Sequence, residues 1–274
     1  MNSIYELEAQ NLQDTWSLLY LKAAGTVLSG KERGEELVRK ANRRYGELIG
    51  EAERTEHRKN GIKVNLMNFY VMPRIRFVDP RLVEQRQRLN EQTALSDIIR
   101  CPFASCARLY QAEKEAKLFC EEFLPSCIGA YTENTAQVNI SEVLTEPRNN
   151  RCRIASYYRP GNVETSLWKE HFSQFEEPKE GAGEVIQNGK DAREKWNRCA
   201  DLLVQAFGET VPELSVQILE AAGTAVGEFL KMRAKCMEQQ ADRGFAERNC
   251  ALEPDRYPDF GKTVIGILNP GKEV

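Results

Sequence analysis

Residues 100–158 read RCPFASCARLYQAEKEAKLFCEEFLPSCIGAYTENTAQVNISEVLTEPRNNRCRIASYY. The pair Cys101-Pro102 ends an extended piece, because a residue before proline is driven toward β geometry, so residues 94–100 are expected to form a short strand. From Ala107 to Cys127 the apolar positions Leu109, Ala112, Ala116, Phe119, Cys120 and Phe123 share one face of a helix. Residues 137–144 and 151–158 alternate as two strands. Thr145 to Asn150 joins them, which predicts a β-hairpin with a loop of about six residues.

Upstream, from Ile4 to about Glu53, apolar residues recur at helical spacing (Trp16, Leu19, Tyr20, Ala23, then Leu37, Ala41, Tyr45, Leu48, Ile49), with Gly30 and Gly34 between the runs. A helix, a turn and a second helix are expected. Residues 54–63 form a charged connection. Residues 64–78 are rich in β-branched and aromatic side chains with Pro73, and read as strand or loop. Residues 81–90 are polar and helix-compatible.

Downstream, residues 176–190 are polar and glycine-rich, as a linker would be. Residues 192–207 and 212–240 form another amphipathic pair, the second starting near Thr210 as a cap with Pro212 in its first turn. This gives an α+β, helix-rich chain with a small antiparallel β-sheet. The expected organisation is an α+β domain over residues 1–175, a linker over 176–191, a second helical pair over 192–241 and an irregular tail over 242–274.

The second pair echoes the first. Glu36-Leu37 and the segment Tyr45 to Glu51 align with Glu213-Leu214 and Ala222 to Glu228 at one constant offset, so Gly46 and Gly50 correspond to Gly223 and Gly227. A mid-helix glycine costs about 1 kcal/mol relative to alanine, and close approach of another group is the usual compensation. That group is either a ligand or a packed helix. The chain thus carries a repeated glycine-bearing helical pair.

The 274 residues, 41% hydrophobic and 29% charged, suffice for a real core, and a net charge of -3 gives no overall attraction to nucleic acid or an anionic membrane. The first residues, MNSIYELEAQNLQD, lack the basic start and apolar run of an export signal, and no stretch reaches membrane-spanning length. A cytoplasmic protein with reduced thiols is expected, with no nucleic-acid or membrane partner; a homodimer is compatible with the sequence. Two histidines, His57 and His171, leave little material for a histidine metal site or a Cys/His relay.

Five of the eight cysteines (Cys101, Cys106, Cys120, Cys127 and Cys152) fall between residues 101 and 152. No C-x-x-C occurs, so spacing alone assigns no metal; each is either a small buried hydrophobe or a reactive thiol. The series Arg100-Cys-Pro-Phe-Ala104, Leu118-Phe-Cys-Glu121 and Arg151-Cys-Arg-Ile154 resembles the L-2-amino-thiazoline-4-carboxylic acid hydrolase family over about residues 15–160. The family's Gly-Asp turn is Asn149-Asn150 here.

The resemblance implies a small-molecule enzyme that hydrolytically opens, or in reverse closes, a small cyclic substrate at a C–N or C–S bond. Cys101, Cys120 and Cys152 are the positions that carry over as catalytic. A thiolate nucleophile needs a lowered pKa, for which Arg100, Arg151 and Arg153 are neighbours in sequence. Acid and base come from Glu121, Glu122, Tyr131 or Tyr157. Arg74 and Arg76, two apart in an extended piece, suit a substrate carboxylate, and Tyr157 joins them as a substrate-binding residue. No cofactor is required. A second reading is a ligand-sensing or binding module, similar to the 4-vinyl reductase type of sensor domain, in which cysteines hold zinc. A third is a helical interaction protein whose cysteines fill its core.

Overall fold

The computed structural model describes residues 4–76, 82–90, 92–109, 111–146, 148–158, 161, 163–171 and 189–241. Helices α1 (Ile4–Ser29) and α2 (Gly34–Lys59) are joined by a tight turn in which Arg33 takes a left-handed φ of 57°. A side chain at Gly34 would collide with the Leu28 carbonyl. On α2, Val38, Ala41, Tyr45, Leu48 and Ile49 are buried at the expected helical spacing.

Residues 64–78, expected as strand or loop, begin instead with the short helix α3 (Leu66–Val71), capped by the Asn65 side chain, which accepts the Asn68 N–H at 2.8 Å. A bend at 74–76 follows. The helix-compatible segment 81–90 is also corrected: Val83–Leu89 is strand β1, paired antiparallel with β2 (Thr93–Arg100). Asn90 closes this hairpin by accepting the N–H groups of Gln92 and Thr93. The pattern was hidden because β1 is an edge strand, charged and largely exposed.

The long helix expected from Ala107 to Cys127 is two helices, α4 (Pro102–Leu109) and α5 (Glu113–Tyr131). Gln111 adopts φ 52° and the Ala112 N–H returns to the Ala107 carbonyl at 2.8 Å, a helix stop made without glycine or proline. The hairpin of β3 (Ala136–Glu142) and β4 (Cys152–Tyr158) is present and antiparallel, its connection running over residues 143–151. The four-stranded antiparallel sheet has the order β1-β2-β4-β3.

After the short helix α6 (Trp168–His171) come α7 (Gly189–Thr210) and α8 (Pro212–Ala241). Thr210 does not cap α8: its hydroxyl donates back to the Ala206 carbonyl of α7. Helix α7 packs on α2, and α8 on α1. Their side chains Leu203, Phe207 and Ile218 share a single core with Trp16, Tyr20, Ile49 and Ile128. Most of the expected linker 176–191 and the whole tail 242–274 lie outside the described residues. Among those described, no helix is long and apolar enough to cross a membrane.

The glycines of α2 meet a helix. A Cβ on Gly46 would stand 2.5 Å from the Phe123 carbonyl oxygen, and one on Gly50 would overlap that of Cys127, so both allow the α2 and α5 backbones to touch. A Cβ on Gly227 would meet nothing within 4 Å.

Candidate functional site

Strand alternation sorts the sheet into two faces. The registers Ile98 with Cys152, Ser96 with Ile154, and Ile140 with Ile154 put all five of these side chains on the face toward the helices. Between that face and α2, α5 and α7 is a cavity of about 340 Å³. Aromatic rings form much of its wall: Tyr45 from α2, Phe103 from α4, and Phe119 and Phe123 from α5, the last two stacked at 4.9 Å.

All three predicted catalytic cysteines line this cavity: Cys101 from the end of β2, Cys120 from α5 and Cys152 from the start of β4. The hairpin packs on α5, so the Cys-Pro step, the helix and the returning strand converge. A fourth thiol, Cys199, reaches the same space from α7; it donates to the Ile75 carbonyl at 3.7 Å.

The surroundings favour the protonated form of Cys120, Cys152 and Cys199. Burial pushes Cys120 well above the ordinary thiol range, and the neighbouring Cys101 and Cys152 add to the effect. Burial raises Cys152 as well, opposed by the Leu144 N–H, which donates to its Sγ at 3.1 Å. Cys199 is pushed up to about 12, again by burial first. The arginines next to Cys152 in sequence do not serve it. Arg153 and Arg151 project from the opposite face and clamp Asp97, Arg153 Nε at 3.0 Å and Arg151 Nη1 at 3.4 Å.

The other predicted residues divide. Arg76 lines the cavity, but Arg74 does not, because the backbone there is a bend rather than an extended strand. Tyr157 pairs with Thr93 and Gln137 on the sheet face away from the cavity. Glu121 and Glu122 are taken by Arg39 of α2 at 2.8 and 2.9 Å. Tyr131 is fully buried, its hydroxyl 2.7 Å from His57 Nδ1.

The bend that presents Arg76 is organised by Glu53. This buried carboxylate accepts the backbone N–H groups of Arg74, Ile75 (2.9 Å) and Arg76 (3.1 Å). His57 Nε2 faces two acceptors, the Met72 carbonyl at 2.8 Å and Glu53 at 3.3 Å, and therefore carries a hydrogen. Sequence reading missed Glu53, although a Glu and a His four apart on the buried side of an amphipathic helix is a readable signal. It also missed Ser96, Glu84 and Arg86, which line the cavity from β2 and β1, and Tyr70, whose hydroxyl is 2.8 Å from Ser156 Oγ.

Among the described residues no three His, Cys, Asp or Glu side chains are grouped so as to hold a metal ion.

Fold and site together define an α+β protein with a half-open cavity between an antiparallel sheet and three helices. No protein-family model matches the chain, and neither the curated proteins nor the solved structures give a significant match.

Proposed function

We propose that the chain is a ligand-binding module that holds a small, largely apolar molecule between the sheet and α2, α5 and α7. The observation that carries this is the cavity of about 340 Å³, walled by aromatic and aliphatic side chains with a few polar groups, as small-molecule sites are. The thiols belong to that wall as neutral, polarisable surface. The neutral dye N-phenyl-1-naphthylamine, which brightens in apolar surroundings, should bind saturably at one molecule per chain. Ile154→Trp, which fills the space from the sheet side, should abolish the signal while leaving the circular dichroism unchanged. Equal dye binding by both proteins would contradict the proposal.

A second reading, the cysteine hydrolase of the resembled family, is favoured by one contact: the Leu144 N–H on Cys152 Sγ, which would stabilise a thiolate there. It requires Cys152 to react with iodoacetamide near pH 7 as fast as a free thiol does. Slow reaction below about pH 9 would remove it.

A further inference from the structure

The polar groups of the cavity assign its ligand a charge. We propose that the occupant is a largely apolar carboxylic acid whose carboxylate is bound by Arg76; this rests on the cavity being a ligand site. The Arg76 guanidinium lies on the Phe69 ring, 3.6 Å from its centroid, and one Nη donates to the Phe69 carbonyl. These two contacts fix its plane. Its Nε is buried without a hydrogen-bond partner. The nearest carboxylate, Glu53, is 4.0 Å away and already accepts three backbone N–H groups and faces the His57 N–H.

The Nε, sealed from the cavity, faces Glu53, while the Arg76 side chain keeps 17% of its surface accessible where it lines the cavity, so the guanidinium presents part of its charge there. A charge-assisted bond to a carboxylate satisfies a guanidinium best. Of the other polar side chains that line the space, Ser96 lies in the row beside Ile154, the Tyr70 hydroxyl is 2.8 Å from Ser156 Oγ, Arg86 at the rim has its Nε held by Glu84 at 3.0 Å, and Ser17 and Tyr45 add hydroxyls. Glu84 is thereby tied to a cation, and the neutral thiols neither repel an anion nor attract a cation. The remaining wall, including Ile49, Phe103, Phe123, Ile140 and Leu203, asks for an apolar body. A volume of about 340 Å³ is at the small end of the range of small-molecule sites, which suits a bicyclic aromatic acid.

The test compares 2-naphthoic acid with the neutral, nearly isosteric 2-naphthamide by isothermal titration at pH 7.5. The acid is expected to bind at least about tenfold more tightly than the amide. Arg76→Gln should bring the two to parity, while Arg86→Gln keeps the preference. The wild-type comparison stands whether or not Arg76→Gln folds. Loss of the preference in Arg86→Gln instead would overturn the assignment to Arg76. An amide that binds wild-type protein as tightly as the acid would overturn the carboxylate and leave the cavity reading standing. Failure of both ligands to bind would overturn the two together.

Discussion

Glu53 has no exposure to water, yet it is held ionised. Burial alone would raise its pKa; the His57 hydrogen bond, the Arg76 charge and the backbone N–H groups of Arg74 and Arg76 outweigh that and lower it to about 2. In the unfolded chain the same carboxyl titrates near its ordinary value, so its contribution to stability is complete above about pH 4.5 and is lost as the pH falls through the folded value. The shift corresponds to something on the order of 3 kcal/mol. Glu53→Gln should accordingly destabilise the protein by about 2–4 kcal/mol at pH 7 in urea melts, because one of the amide's two ends would present N–H groups to N–H groups. The difference between variant and parent should shrink as the pH is lowered from 4 to 2. A difference that is flat across that range would show that Glu53 is not the ionised anchor of the 74–76 bend.

At the scale of elements, the contact of α2 with α5 depends on two missing side chains. Alanine at position 50 gains about 1 kcal/mol of helix propensity but drives its Cβ into the Cys127 carbonyl, and backbone cannot rotate away as a side chain can. Gly50→Ala should therefore lower stability by roughly 1–3 kcal/mol. Gly227→Ala, with open space around it, should raise stability by about 0.5–1 kcal/mol. Thermal melts of the two variants decide it, and the same sign for both would contradict the packing described. Strands β2, β3 and β4 were legible because one face of each packs on the helices and the Cys101-Pro102 step marks where β2 stops. Strand β1 was not, since an edge strand of sequence VEQRQRL shows no apolar alternation. The stop between α4 and α5 was invisible because Gln111 takes the left-handed position that glycine usually signals.

Over the whole molecule, the cavity is built from segments far apart in the chain: α2, the bend after α3, the β1–β2 and β3–β4 hairpins, α4, α5 and α7. The convergence of Cys101, Cys120 and Cys152 was legible, because a hairpin returning onto the helix that precedes it must bring those positions together. Arg76 was legible as a residue that could face a ligand and does line the cavity, while Arg74 and Tyr157 lie away from it, by one bend and by one step of strand register, since adjacent strand residues face opposite sides. Nothing local in the sequence marked Cys199, whose position depends on how α7 packs against α2. The account stands on the claim that a small molecule enters this space and touches the thiols. The most direct measurement is residue-by-residue alkylation by iodoacetamide, read by mass spectrometry, with and without saturating N-phenyl-1-naphthylamine. The account predicts slow reaction of Cys101, Cys120 and Cys152 at pH 7 that the dye slows further, with Cys106, which does not line the cavity, unaffected by it. Alkylation of the three cavity thiols that is unchanged by bound dye, or a dye effect on Cys106 equal to theirs, would contradict it.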